Sequence, residues 1–315
     1  MNILVLGNGF DLAHGLKTSY VNFIDFCSIV KNFDIDIINE RKIYEYNEIL
    51  TKSIQLLNEF GFEDTIRDIF IEHFTLSTID EKKKKFIRAC QYNYWIEYIN
   101  SSDKADPNWC AFEQKITYHL EQLCWLETHF KEFESGQFEE IADYKEIYQL
   151  GRSLQLGYDN YYTKIDQFRI DLLSSLEELI YILNYYLSYF LNLKLERISL
   201  FESFTINKVV NFNYTSTFEH LYTNENARID IHHIHGVLND CDDEFECQNN
   251  IIFGVGTELK YSNEESKINY LDFQKYFQRI IKKTGIEYAQ WLTEVNENVN
   301  IIFFGHSLDV PDGIL

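Results

Sequence analysis

The first twenty residues, Met1 to Tyr20, read MNILVLGNGFDLAHGLKTSY, and the passage Gly7-Asn8-Gly9-Phe10-Asp11 within them decides the fold. Ile3 to Leu6 is an apolar run with no polar alternation, as expected of a strand buried on both faces of a parallel sheet. It breaks at a Gly-x-Gly turn. Glycines there let the backbone approach a ligand closely, and a following helix N-terminus offers N–H groups to an anion. Leu12 stands where the usual dinucleotide fingerprint has a third glycine, so the turn departs from the dehydrogenase pattern. Thr18 or Ser19 then caps an amphipathic helix containing Val21, Phe23, Ile24 and Phe26.

Working outward, residues 31–204 carry apolar side chains at helical spacing with little Gly or Pro. Asp106-Pro107 is the clearest start signal, an N-cap followed by a proline at the first helical position. It opens a helix through Trp109, Phe112, Ile116, Leu120 and Leu123. From residue 205 the texture changes to short β-branched runs, KVVNFNYT (208–215), RIDIHHIHG (228–236), NNIIFGVG (249–256) and VNIIFFGHSL (299–308), each read as a strand. Helical patterns over Thr217–Tyr222 and Tyr270–Val299 supply crossovers. The expected architecture is an α/β, Rossmann-like parallel sheet built from residues 1–30 and 205–315, with a mostly helical insertion at 31–204.

The 315-residue chain has apolar content enough for one large domain or two ordinary ones. Its net charge of −22 repels polyanions, so nucleic acid is not an expected partner. The basic run Lys82 to Lys85 follows Asp80-Glu81 in a helical pattern and reads as a solvated helix face. The six cysteines (27, 90, 110, 124, 241 and 247) form no paired framework, and the N-terminus lacks a signal-peptide pattern. Reduced thiols in a cytoplasm are expected. The apolar stretch Leu179–Leu193 is interrupted by Asn184, Ser188 and Asn192 and falls short of the roughly 20 residues of a membrane span, so it reads as a buried helix.

In open α/β sheets ligands bind beyond the carboxyl ends of the strands. The expected strand ends are Gly7-Asn8-Gly9, Asn211-Phe212-Asn213, His235-Gly236, Gly254-Val255-Gly256 and Gly305-His306-Ser307, all small or functional residues. A dinucleotide suits such a rim, since its phosphates need N–H donors and its riboses need polar side chains. Asn213 serves either the ligand or a turn. His233 and His235 would share a strand face and could chelate a metal with Cys241 or Cys247. No second ligand set stands at metal-site spacing, so no metal is expected. A histidine beside a glycine at a strand end suits a general base or a ribose contact better.

Five ordered blocks, GNGFDLAHGLKTSY (7–20), NWCAFE (108–113), NFNYTSTFE (211–219), HIHG (233–236) and GHSLDVPD (305–312), together resemble the AbiH family of bacterial phage abortive-infection proteins. The resemblance spans nearly the whole chain. It implies a role in defence, in which an infected cell stops growth or dies before the phage matures, and it names no reaction. Relatives usually continue past GHSLDVPD, which implies either a dispensable tail or an incomplete form.

The order of the strand-end blocks is also similar to the sirtuin-like NAD-binding fold. In that resemblance Gly7 and Gly9 match the first phosphate turn, Asn213 the Asn of TQN, and His235 the catalytic His. Phe253-Gly254 match the start of FGE, and Gly305, Ser307 and Leu308 match GTSL. The departures are Val255 for the Glu of FGE, Phe10-Asp11 in the first turn, Thr215 for an Asp, and only Cys241 and Cys247 where a deacylase has four zinc cysteines. Protein deacylation is therefore not expected, whereas cleavage of NAD is. The resemblance implies NAD as substrate against Gly7, Asn8, Gly9, Phe10, Gly236, Gly254, Gly305, His306 and Ser307. Asn213 would position a water or the ribose, and His235 would accept a proton. Asp11 and Glu113 either steady the developing sugar cation or serve as helix-end residues. Such an enzyme must be held inactive, by homo-oligomerisation or until a phage-derived trigger appears. The rival readings are a non-catalytic NAD or ADP-ribose sensor and, behind it, a metal-dependent nuclease-like toxin.

Overall fold

The structure, a computed structural model, describes residues 1–101, 109–136, 144–190, 193–199, 205–223, 229–238, 250–256, 258–293 and 298–306. Four strands, β1 (Asn2–Leu6), β2 (Lys208–Asn211), β3 (Asp230–His233) and β4 (Asn300–Phe304), form an all-parallel sheet in the order β3-β2-β1-β4. The apolar run of β1 is continuous because both its faces are covered. Ile3 and Val5 pack with Val210, Phe212 and Ile234, while Leu4 and Leu6 pack with Val209, Phe10 and Phe218. Burying each such side chain contributes about 1.5–3 kcal/mol.

Register then sets the functional geometry. Leu6 pairs with Asn211 and with Phe304, and Asn211 pairs with His233, so the four carboxyl ends lie in one row. The strand order reverses at β1, which has β2 on one side and β4 on the other, and in open sheets the crevice for a ligand opens at such a reversal.

The reversal is closed by glycines. A Cβ on Gly7 would lie 2.5 Å from the Gly305 carbonyl oxygen, and one on Gly9 would lie 2.7 Å from the Gly305 Cα. Gly305 itself sits at φ +69°, where a Cβ would meet the Phe10 nitrogen at 2.3 Å. Contact this close lets the Gly7 N–H donate to the Phe304 carbonyl (3.0 Å) and the Gly9 N–H to the Gly305 carbonyl (2.9 Å). Helix α1 (Asn8–Ala13) starts within this turn, so a six-residue helix precedes the capped one anticipated from the sequence. That second helix, α2, runs Tyr20–Val30 with Ser19 as its N-cap.

Between α2 and β2 the described chain is overwhelmingly helical, as its periodicity implies. Two long helices matter for the site: α3 (Trp109–Thr128) and the thirty-residue α4 (Tyr161–Phe190). Asp106-Pro107 lies outside the described residues, but α3 carries Phe112, Ile116, Leu120 and Leu123 inward as expected. The interior is aromatic, and buried rings with polar tips are anchored: Tyr186 Oη donates to the Lys17 carbonyl (2.7 Å) and Trp95 Nε1 to the Leu172 carbonyl (3.0 Å). Leu179 to Phe190 of the apolar stretch belongs to α4, and no helix among the described residues is long and apolar enough to cross a membrane. The Lys82–Lys85 run sits on a helix, Glu81–Tyr92, capped by Asp80, with Lys84 paired to Glu81 at 2.6 Å.

Two expectations are corrected. Among the described residues of NNIIFGVG there is no ladder strand, only one isolated bridge between Val255 and Gln274. Ile251, Phe253 and Val255 pack into the core of the helical region instead, and the Gln278 side chain supplies what a neighbouring strand would: its Oε1 accepts from the Phe253 N–H (3.0 Å) and its Nε2 donates to the Phe253 carbonyl (2.9 Å). Apolar β-branched residues satisfy burial against helices as well as in a sheet, so composition alone misplaces them. The pattern over Tyr270–Val299 also breaks, into a 3-10 turn (Leu271–Phe273), α6 (Lys275–Lys282) and α7 (Glu287–Thr293), after α5 (Thr217–Tyr222). Lys283 and Gly285 both take positive φ, which ends α6.

Gly305→Ala is expected to lower unfolding stability in urea by about 2–3 kcal/mol, since it adds a backbone clash to left-handed strain. Gly15→Ala, at φ +84° with nothing within 4 Å, should lose only about 1 kcal/mol. Equal losses would show that the Gly7–Gly9–Gly305 contact is not tight.

Candidate active site at the strand ends

A cavity of about 350 Å³ opens over the carboxyl ends of the strands, within the size range of small-molecule sites. Residues from all four strand ends line it. The β1–α1 turn and α1 give Gly7, Asn8, Gly9 and Asp11. The segment after β2 gives Phe212 to Thr215, His235 follows β3, and Gly305 with His306 follow β4. The helical region closes the remaining side with Thr18, Trp109, Glu113 and Leu187, and Lys275 comes from the start of α6.

Asp11 is only 1% exposed. The Thr215 hydroxyl donates to its Oδ2 at 2.6 Å, and Thr217 in turn donates to Thr215 at 3.1 Å. Its Oδ1 is buried with no hydrogen-bond partner among the described residues. Burial pushes the Asp11 carboxyl up to about 6, against the opposing hydrogen bonds of the two threonines; nearby Glu219 adds to the rise. Asn213 is held by its main chain: its N–H donates to Asn211 Oδ1 at 2.9 Å. Its side-chain Nδ2 is likewise buried without a partner among the described residues, as is the Thr18 hydroxyl. Three residues of the cavity lining thus each carry a buried polar atom with no hydrogen-bond partner among the described residues, and buried polar groups in this state point to a ligand or water that completes them.

Glu113 and Lys275 form a two-pronged ion pair in the wall, with Lys275 Nζ 2.7 and 2.8 Å from the two carboxylate oxygens and both side chains under 10% exposed. The His235 ring packs near Phe212 (5.4 Å) and Tyr214 (6.3 Å), and its carbonyl accepts from the Ile252 N–H at 2.8 Å. His306 sets its ring edge-on to Phe212 at 4.1 Å.

Of the residues singled out from the sequence, Gly7, Asn8, Gly9, Asp11, Glu113, Asn213, His235, Gly305 and His306 meet at this cavity. Phe10 does not: it is buried beneath the sheet against Phe218, Tyr222 and Phe304. Gly236 takes φ +78° in a turn pressed on Asn250, and Gly254 lies under the Phe273 carbonyl, so both are glycines for packing. Ser307 lies outside the described residues. The glycines of the first turn also act differently from a phosphate cradle, because the N–H groups of Gly7, Gly9 and Phe10 are all engaged within the protein. His233 and His235 do not share a strand face, since β3 ends at His233 and His235 lies beyond it; the His233 ring pairs with Glu219. Among the described residues no three His, Cys, Asp or Glu side chains are grouped so that they could hold a metal ion; Cys241 and Cys247 lie outside them. Lys275, Thr18 and Thr215 were missed as site residues. Lys275 sits within a pattern that reads as plain helix, and only its position between Phe273 and Tyr276 hints at burial.

Removing one member of a buried ion pair leaves an uncompensated charge. Glu113→Ala should therefore cost about 3–5 kcal/mol in urea unfolding, while Glu113→Leu combined with Lys275→Met stays within about 1 kcal/mol of the native protein. Asp11 binds its proton more tightly folded than unfolded, so its contribution to stability declines as pH rises from about 4 to about 6 and is level above. Asp11→Asn should remove that slope and gain up to about 3 kcal/mol near neutral pH, read by unfolding across that range.

The family described as Bacteriophage abortive infection AbiH matches residues 3–315. No curated protein and no solved structure matches the chain. The match extends from β1 through the end of the sequence and so takes in every strand end that builds the cavity. The chain belongs to the AbiH family of bacteriophage abortive-infection proteins.

Proposed function

We propose that this cavity cleaves the bond between nicotinamide and ribose in NAD, and that loss of NAD is how the protein acts in abortive infection. The observation that carries the reading is the pair of buried, unpartnered groups, Asp11 Oδ1 and Asn213 Nδ2, at the carboxyl end of a parallel sheet. The strand order, reversing at β1, and the resemblance of the strand-end blocks to sirtuin-like NAD sites support the same ligand.

In the proposed step the C1′–N bond breaks with its electron pair going to nicotinamide, which leaves neutral. Positive charge grows on the ribose. Fixed negative charge near it lowers the barrier, and the Asp11 carboxylate, in the cavity lining with Oδ1 unpartnered among the described residues, is placed to supply it. Glu113 is already neutralised by Lys275, so it shapes the wall and takes no part in charge stabilisation. The Asn213 amide donates to the attacking water or to the ribose hydroxyls. Water adds to C1′, His235 accepts its proton, and ADP-ribose is released. The pyrophosphate is not assigned to the glycine turn, whose N–H groups are largely engaged; Asn8 and His306 on the same rim are its nearest polar candidates. An enzyme of this kind needs restraint until infection, by self-association or a phage component.

Purified protein should release nicotinamide from NAD. His235→Ala should lower kcat about 10²- to 10⁴-fold, with Asn213→Ala reduced as well. Because the ionised Asp11 is the active form, kcat should fall about tenfold per pH unit below about 6, and Asp11→Asn should abolish that limb. Equal rates for all three proteins refute catalysis here, and NAD binding without nicotinamide release would assign the cavity to sensing instead.

A further inference from the structure

The main chain of Asn213 is gripped at two points. Its N–H donates to Asn211 Oδ1, and its carbonyl faces Nδ1 of His233 at 3.1 Å. The other ring nitrogen of His233, Nε2, lies 2.5 Å from Glu219 Oε1. A backbone carbonyl can only accept a hydrogen bond, and a carboxylate can only accept one. A neutral imidazole has one donor nitrogen and one acceptor nitrogen, so it cannot serve both partners. The arrangement needs one proton more than a neutral ring and an ionised carboxylate hold between them.

We propose that His233 is a positioning residue of this site: held as an imidazolium between Glu219 and the Asn213 carbonyl, it locks Asn213 in its place in the cavity lining. The location of each partner fits this role. His233 is the last residue of β3, paired in register with Asn211, and Glu219 projects from the first turn of α5, directly after the Asn213–Thr215 segment. The ring therefore bolts the loop after β2 to the strand beside it. His233 does not line the cavity and touches no reacting atom. Its neighbour His232 points to the opposite face of the strand, toward Glu287, and cannot substitute. A fixed imidazolium also opposes the effect of Glu219 on the buried Asp11, whose proton affinity Glu219 raises and His233 lowers.

The catalytic consequence rests on the NAD-cleavage reading; the protonation state does not. A long-range ¹H–¹⁵N spectrum of the native protein at pH 7, with His233 assigned by its disappearance in His233→Phe, should show both ring nitrogens protonated. A neutral ring overturns the proposal. In nicotinamide release, His233→Phe should lower kcat about 10- to 100-fold, as expected when a reacting group is misplaced. KM should stay within about threefold, since the residue does not bind substrate. Glu219→Gln should retain more of kcat than Glu219→Ala, because the Gln amide can donate to Nε2 while Nδ1–H still serves Asn213. Unchanged kcat in His233→Phe, or equal losses in the two Glu219 variants, overturns the proposal. If the native protein releases no nicotinamide, the NAD reading alone has failed. The side-chain amide resonance of Asn213, identified with Asn213→Ala, then decides: displacement in folded His233→Phe supports the lock, and an unmoved resonance overturns it.

Discussion

The contact of Gly7 and Gly9 with Gly305 is the constraint on which the site depends. Three residues without side chains let the turn after β1 press against the turn after β4, close enough for two backbone hydrogen bonds across the reversal in strand order. No larger residue fits at Gly7 or Gly9 without displacing backbone, and Gly305 needs a left-handed conformation besides. This closure fixes where α1 begins, hence where Asp11 is carried, and it aligns His306 with the same rim. The N–H groups of Gly7, Gly9 and Phe10 are thereby engaged within the protein, so recognition passes largely to the side chains around the turn.

Those side chains are held by a graded set of buried polar interactions. Asp11 is half satisfied by Thr215, and Asn213 is satisfied along its backbone but not at its amide. Glu113 is fully neutralised by Lys275. The gradation separates roles: a carboxylate locked to a lysine shapes the cavity, whereas one with an open oxygen in a low-dielectric wall has a shifted proton affinity and interaction left to give. The net charge of −22 makes a single buried lysine at this rim more telling, because it is retained where the surface is overwhelmingly acidic.

The helical region is part of the site and more than a lid beside it. Trp109 Nε1 donates to the Thr18 carbonyl at 2.7 Å, and the Phe112 and Phe253 rings pack at a tilt, 5.1 Å apart, within one continuous core. The segment expected as a fifth strand thereby joins the helices, and its polar backbone is completed by the Gln278 amide. The Glu113–Lys275 pair also ties α3 to α6, because shifting either helix would leave a buried charge unpaired.

Much of this was legible in the sequence wherever the signal was local. The apolar run before Gly7, the cap at Ser19, the helical spacing through residues 31–204 and the glycines and polar residues after each true strand are consequences of nearest-neighbour chemistry, and they placed Asn213, His235, Asp11 and Gly305 at one rim. Periodicity could not tell an extended segment lying on helices from a strand in a sheet, so NNIIFGVG reads as a strand, and the resemblance of the first turn put Phe10 among the ligand contacts although it packs against Phe218, Tyr222 and Phe304. Lys275 was invisible because its importance comes from Glu113, 162 residues earlier, and His233 read as half of a chelate because its partners are a side chain on α5 and a carbonyl after β2. The sequence by itself determined that small and polar residues would gather at the strand ends. Only the tertiary structure decided which of them are satisfied and which are left open, because hydrogen-bond satisfaction in a buried site depends on groups that meet across the fold and not along the chain.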